Sequence, residues 1–275
     1  MDISIVIVSW NVADRLENNL TALFESRGLT YEVFVVDNAS GDRTVEMIKN
    51  NFPNVELIVN KENLGFAKAC NQAIVKSKGR YILLLNPDML VKPDTLVRTV
   101  DWLDKNNQAA IAGIKLINEN DEIIPQVRRF PKLFDQFLVA SKIAHAFPFL
   151  LNHYLYKNFD YEKDAQVDSI RGSFFVIRRS AYEKLGLLDT RYFIWFEEVD
   201  YCRLAKASNL EVWYTPIAIS VDYIGQSFKK VSLSKAQNYF KDSMLAYFKK
   251  WQPAWQLLIL KLAWWFGGII VKFFS

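Results

Sequence analysis

The sequence predicts an α/β protein with a mostly parallel central sheet flanked by helices. Over residues 1–117, short β-branched runs alternate with amphipathic stretches, a pattern typical of parallel strands joined by helical crossovers. The run Tyr81–Leu85 is apolar throughout, as expected for a strand buried on both faces. The chain has 275 residues, of which 51% are hydrophobic, so it can bury a substantial core.

The first half contains five predicted strands and four predicted helices. The strands are expected at 3–9, 32–36, 55–59, 81–85 and 109–116. Helices are expected near 12–26, 42–51, 65–77 and 94–106, where the amphipathic stretches fall. Asn11, Asp42 and Asn63 are the expected N-terminal caps, and Gly28 and Gly79 the expected stops. This half therefore reads as a nucleotide-binding sheet.

The second half begins with an aromatic-rich stretch, 125–165, which Pro131 and Pro148 interrupt. It is expected to form helical excursions. Regular structure then returns as predicted strands at 173–178, 211–214 and 217–221, and as predicted helices at 180–185 and 197–208.

The tail from about residue 239 differs in composition. Four of the eight tryptophans lie in 251–265, and Lys250, Lys261 and Lys272 are spaced by eleven, which places them on one stripe of a helix. Lysines on one stripe of an otherwise apolar helix favour a helix lying in a membrane interface. Two alternatives stay open: a helix packed on the domain, or a true span, which needs about 20 apolar residues.

Charge and cysteine content exclude some classes of function. The net charge of +4 is modest and basic residues are interspersed with 30 acids, so nucleic-acid binding is not indicated. Cys70 and Cys202 lie far apart in predicted helices, which favours a reducing compartment over a disulfide or a zinc site. Met1-Asp2 leads directly into a strand, so we expect no secretion signal.

Polar residues follow two of the predicted strands. Asp88, in Asn86-Pro87-Asp88, comes directly after the strand 81–85. Open α/β sheets bind ligands at that end, and a carboxylate there could hold Mg²⁺ or Mn²⁺ against a diphosphate. Asp37 ends the second strand and could contact a base or ribose. For Asn38 and Ser40 a turn-stabilising role is preferred.

Two further segments could bind a nucleotide. Gly65 lies where a loop enters the helix predicted at 65–77, and there it could let a nucleotide approach the backbone. A Gly-x-Gly-x-x-Gly fingerprint is missing after the first strand, which argues against a dehydrogenase. Arg129, beside Arg128, could bind an anion through its guanidinium group, or could lie in a solvated basic loop.

Three acids follow an aromatic run at 193–196. On a helix Glu197 and Asp200 would share a face while Glu198 would point elsewhere. One of them could act as a general base, although acids also stabilise a first helical turn. The sequence has no Gly-x-Ser-x-Gly elbow, P-loop or Cys/His cluster, so hydrolase, phosphoryl-transfer and zinc chemistry are not indicated.

Six motifs in order give the chain a family resemblance. It resembles the family 2 glycosyltransferases, in particular the rhamnosyltransferase-like subgroup, over about residues 1–230. The motifs lie at 4–11, 35–40, 63–67, 84–88, 172–179 and 196–200.

The resemblance implies a GT-A fold, a nucleotide-sugar donor, a divalent metal (Mg²⁺ or Mn²⁺) and inversion by direct displacement. Asp37 would contact the nucleoside, and Asp88 would be the last acid of a metal-binding Asp-x-Asp motif that reads Asn-x-Asp here. Glu198 stands where the family has its base, usually Asp, so the base is sought among Glu197, Glu198 and Asp200. Asp222 replaces a His that often binds the metal; it could be a ligand, or Asp88 and phosphate could hold the metal alone.

The resemblance and the motifs together define expected site residues and domains. The catalytic domain is expected over 1–235, with a nucleotide-binding half at 1–117 and an acceptor half at 118–235, followed by a membrane-associating helical tail at 236–275. The expected donor-binding residues are Ser9, Asn11, Asp37, Asn38, Asn63, Gly65, Phe66, Lys68, Asn71, Asn86, Arg129 and Gly172.

The expected function is transfer of a sugar to a lipid-linked saccharide in bacterial surface polysaccharide synthesis. The expected donor is dTDP-rhamnose, and the expected location is the cytoplasmic face of the inner membrane, where the protein would be peripheral. One alternative is a UDP-hexose or UDP-N-acetylhexosamine donor. Another is a non-catalytic, membrane-associated scaffold.

Overall fold

A computed structural model describes residues 1–223 and 231–274, with side chains described as far as Gly268. The side chain of Lys272, one of the three lysines of the predicted stripe, lies outside the described residues. The strands are β1 (Ile3–Ser9), β2 (Tyr31–Asp37), β3 (Val55–Val59), β4 (Tyr81–Leu85), β5 (Met89–Val91), β6 (Ala109–Ile117), β7 (Val127–Arg128), β8 (Ala165–Gln166), β9 (Ser169–Ile170), β10 (Phe174–Arg178) and β11 (Glu211–Asp222). The helices are α1 (Ala13–Phe24), α2 (Thr44–Asn51), α3 (Phe66–Ile74), α4 (Thr95–Lys105), α5 (Leu133–Ala140), α6 (Ile143–Ala146), α7 (Arg179–Leu185), α8 (Glu197–Ala207), α9 (Leu233–Trp251) and α10 (Ala254–Phe274), with a short 3-10 helix at Pro148–Leu151.

One mixed sheet organises the domain, as the predicted fold class requires. Its strand order is β3-β2-β1-β4-β10-β6-β11-β5, and β8 pairs with β11. Strands β1 to β4 are parallel where they pair, and β6 and β11 are also parallel. Strand β10 runs antiparallel between β4 and β6. The second half of the chain therefore completes the sheet of the first half, and the two predicted halves share one sheet.

Two apolar layers cover the faces of this sheet. One core contains residues of α1, α2 and α4, such as Leu16, Met47 and Leu103. The other contains residues of α3 and α8, such as Ala69 and Tyr201. The amphipathic stretches of the sequence therefore form helices on both sides of the sheet, which is why β1 and β4 are apolar on both faces.

The strands predicted for the first half are confirmed, but the last predicted strand pair is wrong. Residues 211–214 and 217–221 belong to one strand, β11. Pro216 cannot donate a backbone hydrogen bond. The pairing of β11 with β6 shifts between Thr215 and Ile219, so a bulge accommodates the proline without ending the strand.

The predicted helix caps are partly confirmed. Asp42 accepts a hydrogen bond from the backbone N–H of Thr44 at 3.1 Å, and Asn63 accepts one from Gly65 at 3.0 Å, next to α3. Asn11 does not cap α1, because its Oδ1 accepts from the backbone N–H of Gly41 instead. Helices α1 and α3 end before the glycines predicted as stops, so Gly28 and Gly79 lie in the loops that follow.

Helix α9 is fixed to the domain by a third apolar cluster and a buried carboxylate. Met244, Tyr247 and Phe248 pack against the segment that precedes α8. Asp200 accepts hydrogen bonds from Lys250 Nζ at 2.6 Å and Trp251 Nε1 at 2.5 Å. The part of the predicted tail in α9 is therefore packed, and it is α10 that exposes apolar residues.

Helix α10 packs on α5 with one side and exposes the other. Gly267 lies so close to the carbonyl of Ala140 that a Cβ would be 2.1 Å from its oxygen. The exposed side carries a stripe that we call the α10 face, consisting of Trp255, Leu258, Leu262, Trp265 and Phe266, each more than half exposed. Within the described residues, no helix combines the length and apolarity needed to cross a bilayer.

The predicted lysine stripe is wrong for Lys250. Gln252 and Pro253 separate α9 from α10, because the proline cannot continue the preceding helix. Lys250 therefore lies on α9, where it binds Asp189 and Asp200. Of the two remaining lysines, Lys261 is exposed on α10.

Candidate active site

A cleft of about 460 Å³ opens at the carboxyl ends of β1 and β4, where ligands bind in open α/β sheets. It brings together residues from distant parts of the chain. Its polar and aromatic lining includes Trp10, Asn38, Asn63, Gly65, Phe66, Asn86, Asp88, Arg171, Gly172, Phe193, Glu197, Glu198, Lys235 and Tyr239.

The turn that carries Asp88 is held on both sides. The backbone N–H of Asn86 donates to Ser173 O at 3.0 Å. From α1, Asn19 Nδ2 donates to Asn86 O at 3.1 Å and to Met89 O at 2.8 Å. The carboxylate of Asp88 is therefore presented to the cleft by a turn with little freedom. No local pattern predicts this role for Asn19, a polar residue in an amphipathic helix.

Asp222 lies next to this turn. It pairs with Met89 in the sheet, and the N–H of Tyr223 donates to Asp88 O at 3.3 Å. Burial raises the pKa of Asp222, although the nearby Arg171 opposes the shift. Among the described residues, Asp222 Oδ2 has no hydrogen-bond partner, and Arg171 Nη1 is 3.9 Å away.

These residues fit a Mg²⁺ or Mn²⁺ ion that the substrate helps to hold. Both Asp88 and Asp222 offer carboxylate oxygens, the ligands that such ions prefer. Among the described residues there is no group of three or more His, Cys, Asp or Glu side chains that could hold a metal. One or two carboxylates completed by substrate phosphates is a usual arrangement for Mg²⁺.

A close contact between two loops forms one wall of the cleft. The N–H of Phe66 donates to Phe193 O at 2.7 Å. At Gly65, which has φ of +82°, an added Cβ would be 2.5 Å from the same oxygen. The group that approaches Gly65 in this structure is therefore the backbone of Phe193. That a nucleotide also approaches this glycine, which lines the cleft, stays a prediction.

The same loop turns sharply into α8. Trp195 and Phe196 both have left-handed backbones, with φ of 65° and 69°, which is uncommon for bulky residues and typical of functional sites. The prediction that Glu198 points away from Glu197 is wrong, because both side chains line the cleft at the start of α8. Asp200 does not line the cleft; its hydrogen bonds go to Lys250, Trp251 and Tyr192.

The two glutamates differ in electrostatic environment. Burial, and then the charge of Glu198, raise the pKa of Glu197 well above its usual value. Burial also raises the pKa of Glu198, but backbone N–H groups at the start of α8 and the charges of Arg171 and Arg128 oppose that shift. Environments that push two pKa values apart separate an ionised carboxylate from a protonated one. Glu197 shows the larger rise, and the charges of Arg171 and Arg128 favour the ionised form of Glu198.

Several predicted donor-binding residues lie beside the cleft and support it. Ser9 and Asp37 pair in the sheet and are buried next to lining residues. The Asp37 carboxylate accepts from Ser40 N–H at 3.1 Å. Asn38 lines the cleft, but its amide donates to Asn63 Oδ1 at 2.9 Å, consistent with the turn-stabilising role preferred from the sequence.

Like Ser9, Asn11 and Asp37, three further predicted donor-binding residues are not in the cleft lining: Lys68, Asn71 and Arg129. Lys68 is exposed on α3. Asn71 is bonded to the backbone of Leu188 through both ends of its amide, at 2.8 and 3.0 Å. Arg129 stacks on Tyr156 with its guanidinium carbon 4.2 Å from the ring centroid, and it lines a different cavity.

Several lining residues were not identified from the sequence, among them Trp10, Arg171, Lys235 and Tyr239. Trp10 directly follows β1, so its position at a strand end could have identified it. Arg171 precedes the predicted strand at 173–178 and, unlike Arg129, lines the cleft. Lys235 and Tyr239 come from α9, and Tyr239 stacks on Phe193 with ring centroids 4.3 Å apart; this long-range contact leaves no local signal.

The fold and the cleft define a class of protein. A mixed α/β sheet, with an acid-bearing turn after one central strand and an acid pair facing it, is the architecture of a GT-A glycosyltransferase. Residues 4–186, more than half of the chain, match the family model described as glycosyl transferase family 2. The chain belongs to this family.

Relatives and a solved structure agree with this assignment. The chain is 27% identical over 230 residues to N-acetylglucosaminyl-diphospho-decaprenol L-rhamnosyltransferase of Mycobacterium tuberculosis (strain ATCC 25618 / H37Rv), covering 78% of this chain and 73% of that protein. It is 27% identical over 231 residues to rhamnosyltransferase WbbL of Escherichia coli (strain K12), covering 80% and 82%. The structure of mannosyltransferase PcManGT from Pyrobaculum calidifontis in complex with GDP-Man and Mn²⁺ matches with a TM-score of 0.60 at 17% identity, covering 95% of this chain and 73% of that one.

The contact between Gly65 and Phe193 should be required for stability and for the shape of the cleft. We expect Gly65→Ala to lower the free energy of unfolding by several kcal/mol, since it adds a backbone clash to the roughly 1–2 kcal/mol cost of a left-handed alanine. Gly186→Ala is the matched control, because Gly186 has φ of +80° and nothing within 4 Å of an added Cβ. Denaturant unfolding of both variants measures the difference. Equal losses would show that the clash with Phe193 has no energetic weight.

Proposed function

We propose that this protein transfers L-rhamnose from dTDP-rhamnose to a lipid-linked saccharide, with inversion at the anomeric carbon. The observation that carries the proposal is the single cleft in which Asp88 faces the pair Glu197 and Glu198. Two relatives that cover most of the chain are rhamnosyltransferases by name. These relatives support the choice of sugar.

The donor half of the cleft would bind the nucleotide diphosphate. Asp88 and Asp222 would hold a divalent ion, which as a Lewis acid would stabilise the departing diphosphate. Arg171, which lines the cleft, can add a guanidinium group to the same phosphate oxygens. Trp10 offers an aromatic face at the end of β1 on which a base could stack.

Glu198 is the proposed general base. A base must be ionised before it accepts the proton of the acceptor hydroxyl. Backbone N–H groups oppose the pKa rise of both glutamates, but the charges of Arg171 and Arg128 favour the ionised form of Glu198. Its pKa is nevertheless raised by burial, which increases its basicity. Glu197 would retain its proton and keep the second negative charge out of the cleft. Asp200 is no longer proposed as a base, because its oxygens are used in fixing α9.

The exposed apolar residues of the α10 face favour the proposal that the acceptor is linked to a lipid. A row of exposed Trp, Leu and Phe side chains on one helix is typical of helices that lie in a membrane interface. One relative acts, by its name, on a sugar carried by diphospho-decaprenol. We propose that this protein works as a peripheral protein at the cytoplasmic face of the membrane, with α10 against the lipid.

A second candidate keeps the reaction and changes the donor. PcManGT, which shares the fold, was solved with GDP-Man. The fold therefore does not determine the nucleobase or the sugar of the donor. A UDP-hexose or UDP-N-acetylhexosamine donor is therefore the main rival. A catalytically silent scaffold is less favoured, because burial of two adjacent carboxylates in an open cleft costs stability and serves no packing purpose.

Donor identity is tested by calorimetric titration of the full chain with dTDP and with UDP, each with and without Mn²⁺. We expect dTDP to bind more tightly and only in the presence of metal, because the diphosphate supplies ligands that the two carboxylates do not. Tighter binding of UDP would support the rival donor. Metal-independent binding of either nucleotide would contradict the role of Asp88 and Asp222.

The roles of the two glutamates are tested by isosteric substitution. Glu198→Gln should reduce turnover by a factor on the order of 10² to 10⁴, as loss of a general base does, with donor affinity retained. Glu197→Gln is the matched control and should keep most activity, because glutamine resembles the protonated acid. The reverse pattern in single-turnover transfer would exchange the two roles.

The pH profile gives a second readout of the same assignment. Because the pKa of Glu198 is raised, its ionised fraction should fall already above the ordinary glutamate value of about 4.3. The rate should therefore rise with pH along an acid limb displaced upward from that value. Arg171→Gln removes an opposing cation and should move this limb to still higher pH. An unmoved limb would argue against Glu198 as the titrating group.

Membrane binding by the α10 face is tested with two charges. Leu258→Glu with Leu262→Glu should lower partitioning onto phosphatidylcholine and phosphatidylglycerol vesicles by about tenfold or more, since two apolar side chains lose their burial in lipid. Val75→Glu is the control, because Val75 is similarly exposed, at 60%, on another part of the surface. Co-sedimentation that does not differ between these variants would leave α10 without a membrane role.

A further inference from the structure

A second cavity lies further along the helix that carries the two glutamates. It has a volume of about 690 Å³, and Arg203 and Lys206 of α8 line it. Glu198 lies near the start of α8 and Arg203 five residues later, so the cavity begins about 7.5 Å along the helix axis from the proposed base. The other lining residues used below are Arg129, Lys132 and Trp251.

The cavity has an excess of positive charge. Lys206 is paired with Asp168 at 2.7 Å. In the described part of the chain, Arg129, Lys132 and Arg203 form no salt bridge with a carboxylate. Three cations without acidic partners around one concave surface favour an anion, and two of the three are guanidinium groups, whose geometry matches phosphate.

The cations are held in place by aromatic rings. The guanidinium carbon of Arg203 is 5.3 Å from the ring centroid of Trp251 and 5.6 Å from that of Phe130, and Arg203 donates to Tyr247 Oη at 2.9 Å. Arg129 stacks on Tyr156 and its Nε is buried without a hydrogen-bond partner. The guanidinium groups are thus positioned before any ligand arrives, which reduces the entropic cost of binding one.

The cavity lies at the edge of the exposed apolar surface. On one side Lys132 lines it, and Phe134, two residues later, is 59% exposed. On the other side Trp251 and Gln252 line it, and Trp255 of the α10 face follows at 56% exposure. Helices α5 and α10 pack on each other. A ligand bound in this cavity could therefore have an anionic group among the cations and a hydrocarbon chain along the adjoining surface.

We infer that this cavity binds the diphosphate of the lipid-linked acceptor, that is, a diphosphate ester of a long hydrocarbon chain. The inference rests on the proposed function, because the saccharide would then extend from the cavity along α8 to Glu198. Five residues offset Arg203 from Glu198 by about 7.5 Å along the axis and about 140° around it, so the saccharide would curve around α8 to reach Glu198. The cavity would thus select acceptors by their diphosphate and their lipid, while the cleft selects the donor.

The probe is farnesyl diphosphate, which joins a diphosphate to a short hydrocarbon chain. Binding is measured calorimetrically on the full chain in EDTA, so that metal-dependent binding in the donor cleft does not contribute. Arg203→Gln with Lys132→Gln should weaken binding by about tenfold or more. The control is Arg98→Gln with Lys105→Gln, which removes the same charge from α4 on the opposite face of the sheet and should leave the affinity unchanged.

Two comparisons make the test decisive. Because Arg203 also bonds Tyr247, Lys132→Gln alone is measured in parallel, and each variant must retain the unfolding midpoint of the parent protein. Farnesol and inorganic pyrophosphate should each bind more weakly than farnesyl diphosphate, since each lacks one half of the ligand.

Two results would overturn the inference. One is an equal affinity for farnesyl diphosphate in the cavity variants and the control. The other is pyrophosphate binding as tightly as farnesyl diphosphate and lost in the cavity variants, which would define a site for a free anion. Failure of the proposed function is separate, because absence of donor binding or sugar transfer would leave the cavity-dependent binding of farnesyl diphosphate intact.

Discussion

The site depends on one backbone contact, the hydrogen bond from Phe66 N–H to Phe193 O. It joins the start of α3, in the first half of the chain, to the loop that leads into α8. Gly65 makes the approach possible, because any side chain there would meet the carbonyl of Phe193. Two hydrogen bonds between Asn71 and Leu188 join α3 to the same part of the chain. The acid pair and the Asp88 turn line one cleft.

Buried charge determines what the cleft can do. Glu197, Glu198 and Asp222 all have raised pKa values because burial disfavours their ionised forms. The chain supplies limited compensation, mainly from Arg171 and from N–H groups at the start of α8. A cation between Asp88 and Asp222, and a proton on Glu197, would each remove part of this cost. Binding of a metal and a donor would recover part of the stability lost through this burial.

Asp200 shows how the same acidic segment also serves the fold. Its two oxygens accept hydrogen bonds from Tyr192, Lys250 and Trp251. The bonds from Lys250 and Trp251 fix the end of α9 to the first turn of α8, and Trp251 also lines the second cavity. Breaking such a buried pair usually costs about 3–5 kcal/mol. Helix α8 and the α9 residues that bind Asp200 therefore connect Glu197 and Glu198, the second cavity and the start of α10.

Local patterns in the sequence were sufficient for much of the fold. Short β-branched runs predicted β1 to β4, and the acids after β2 and β4 indicated which end of the sheet would bind ligands. Both features depend only on residues that are neighbours in the chain. The motifs also placed Asp88, Glu197 and Glu198 in one site by resemblance. Even the cap at Asp42 could be found, since a cap is a contact between near neighbours.

Only the tertiary structure decided which polar residues face the cleft. Asn71, Lys68 and Arg129 have side chains that could bind a donor. Asn71 instead forms hydrogen bonds with the backbone of Leu188. Lys68 is exposed on α3, and Arg129 lines the second cavity. Arg171, Tyr239 and Asn19 gained roles through contacts with distant residues. The lysine spacing likewise predicted that Lys250 lies on one helix stripe with Lys261. In the structure the chain breaks at Pro253, and Lys250 binds the buried Asp200 instead. The physical reason is common to all of these cases: periodicity reports which side of an element is apolar, while the partner of a polar side chain is set by long-range packing.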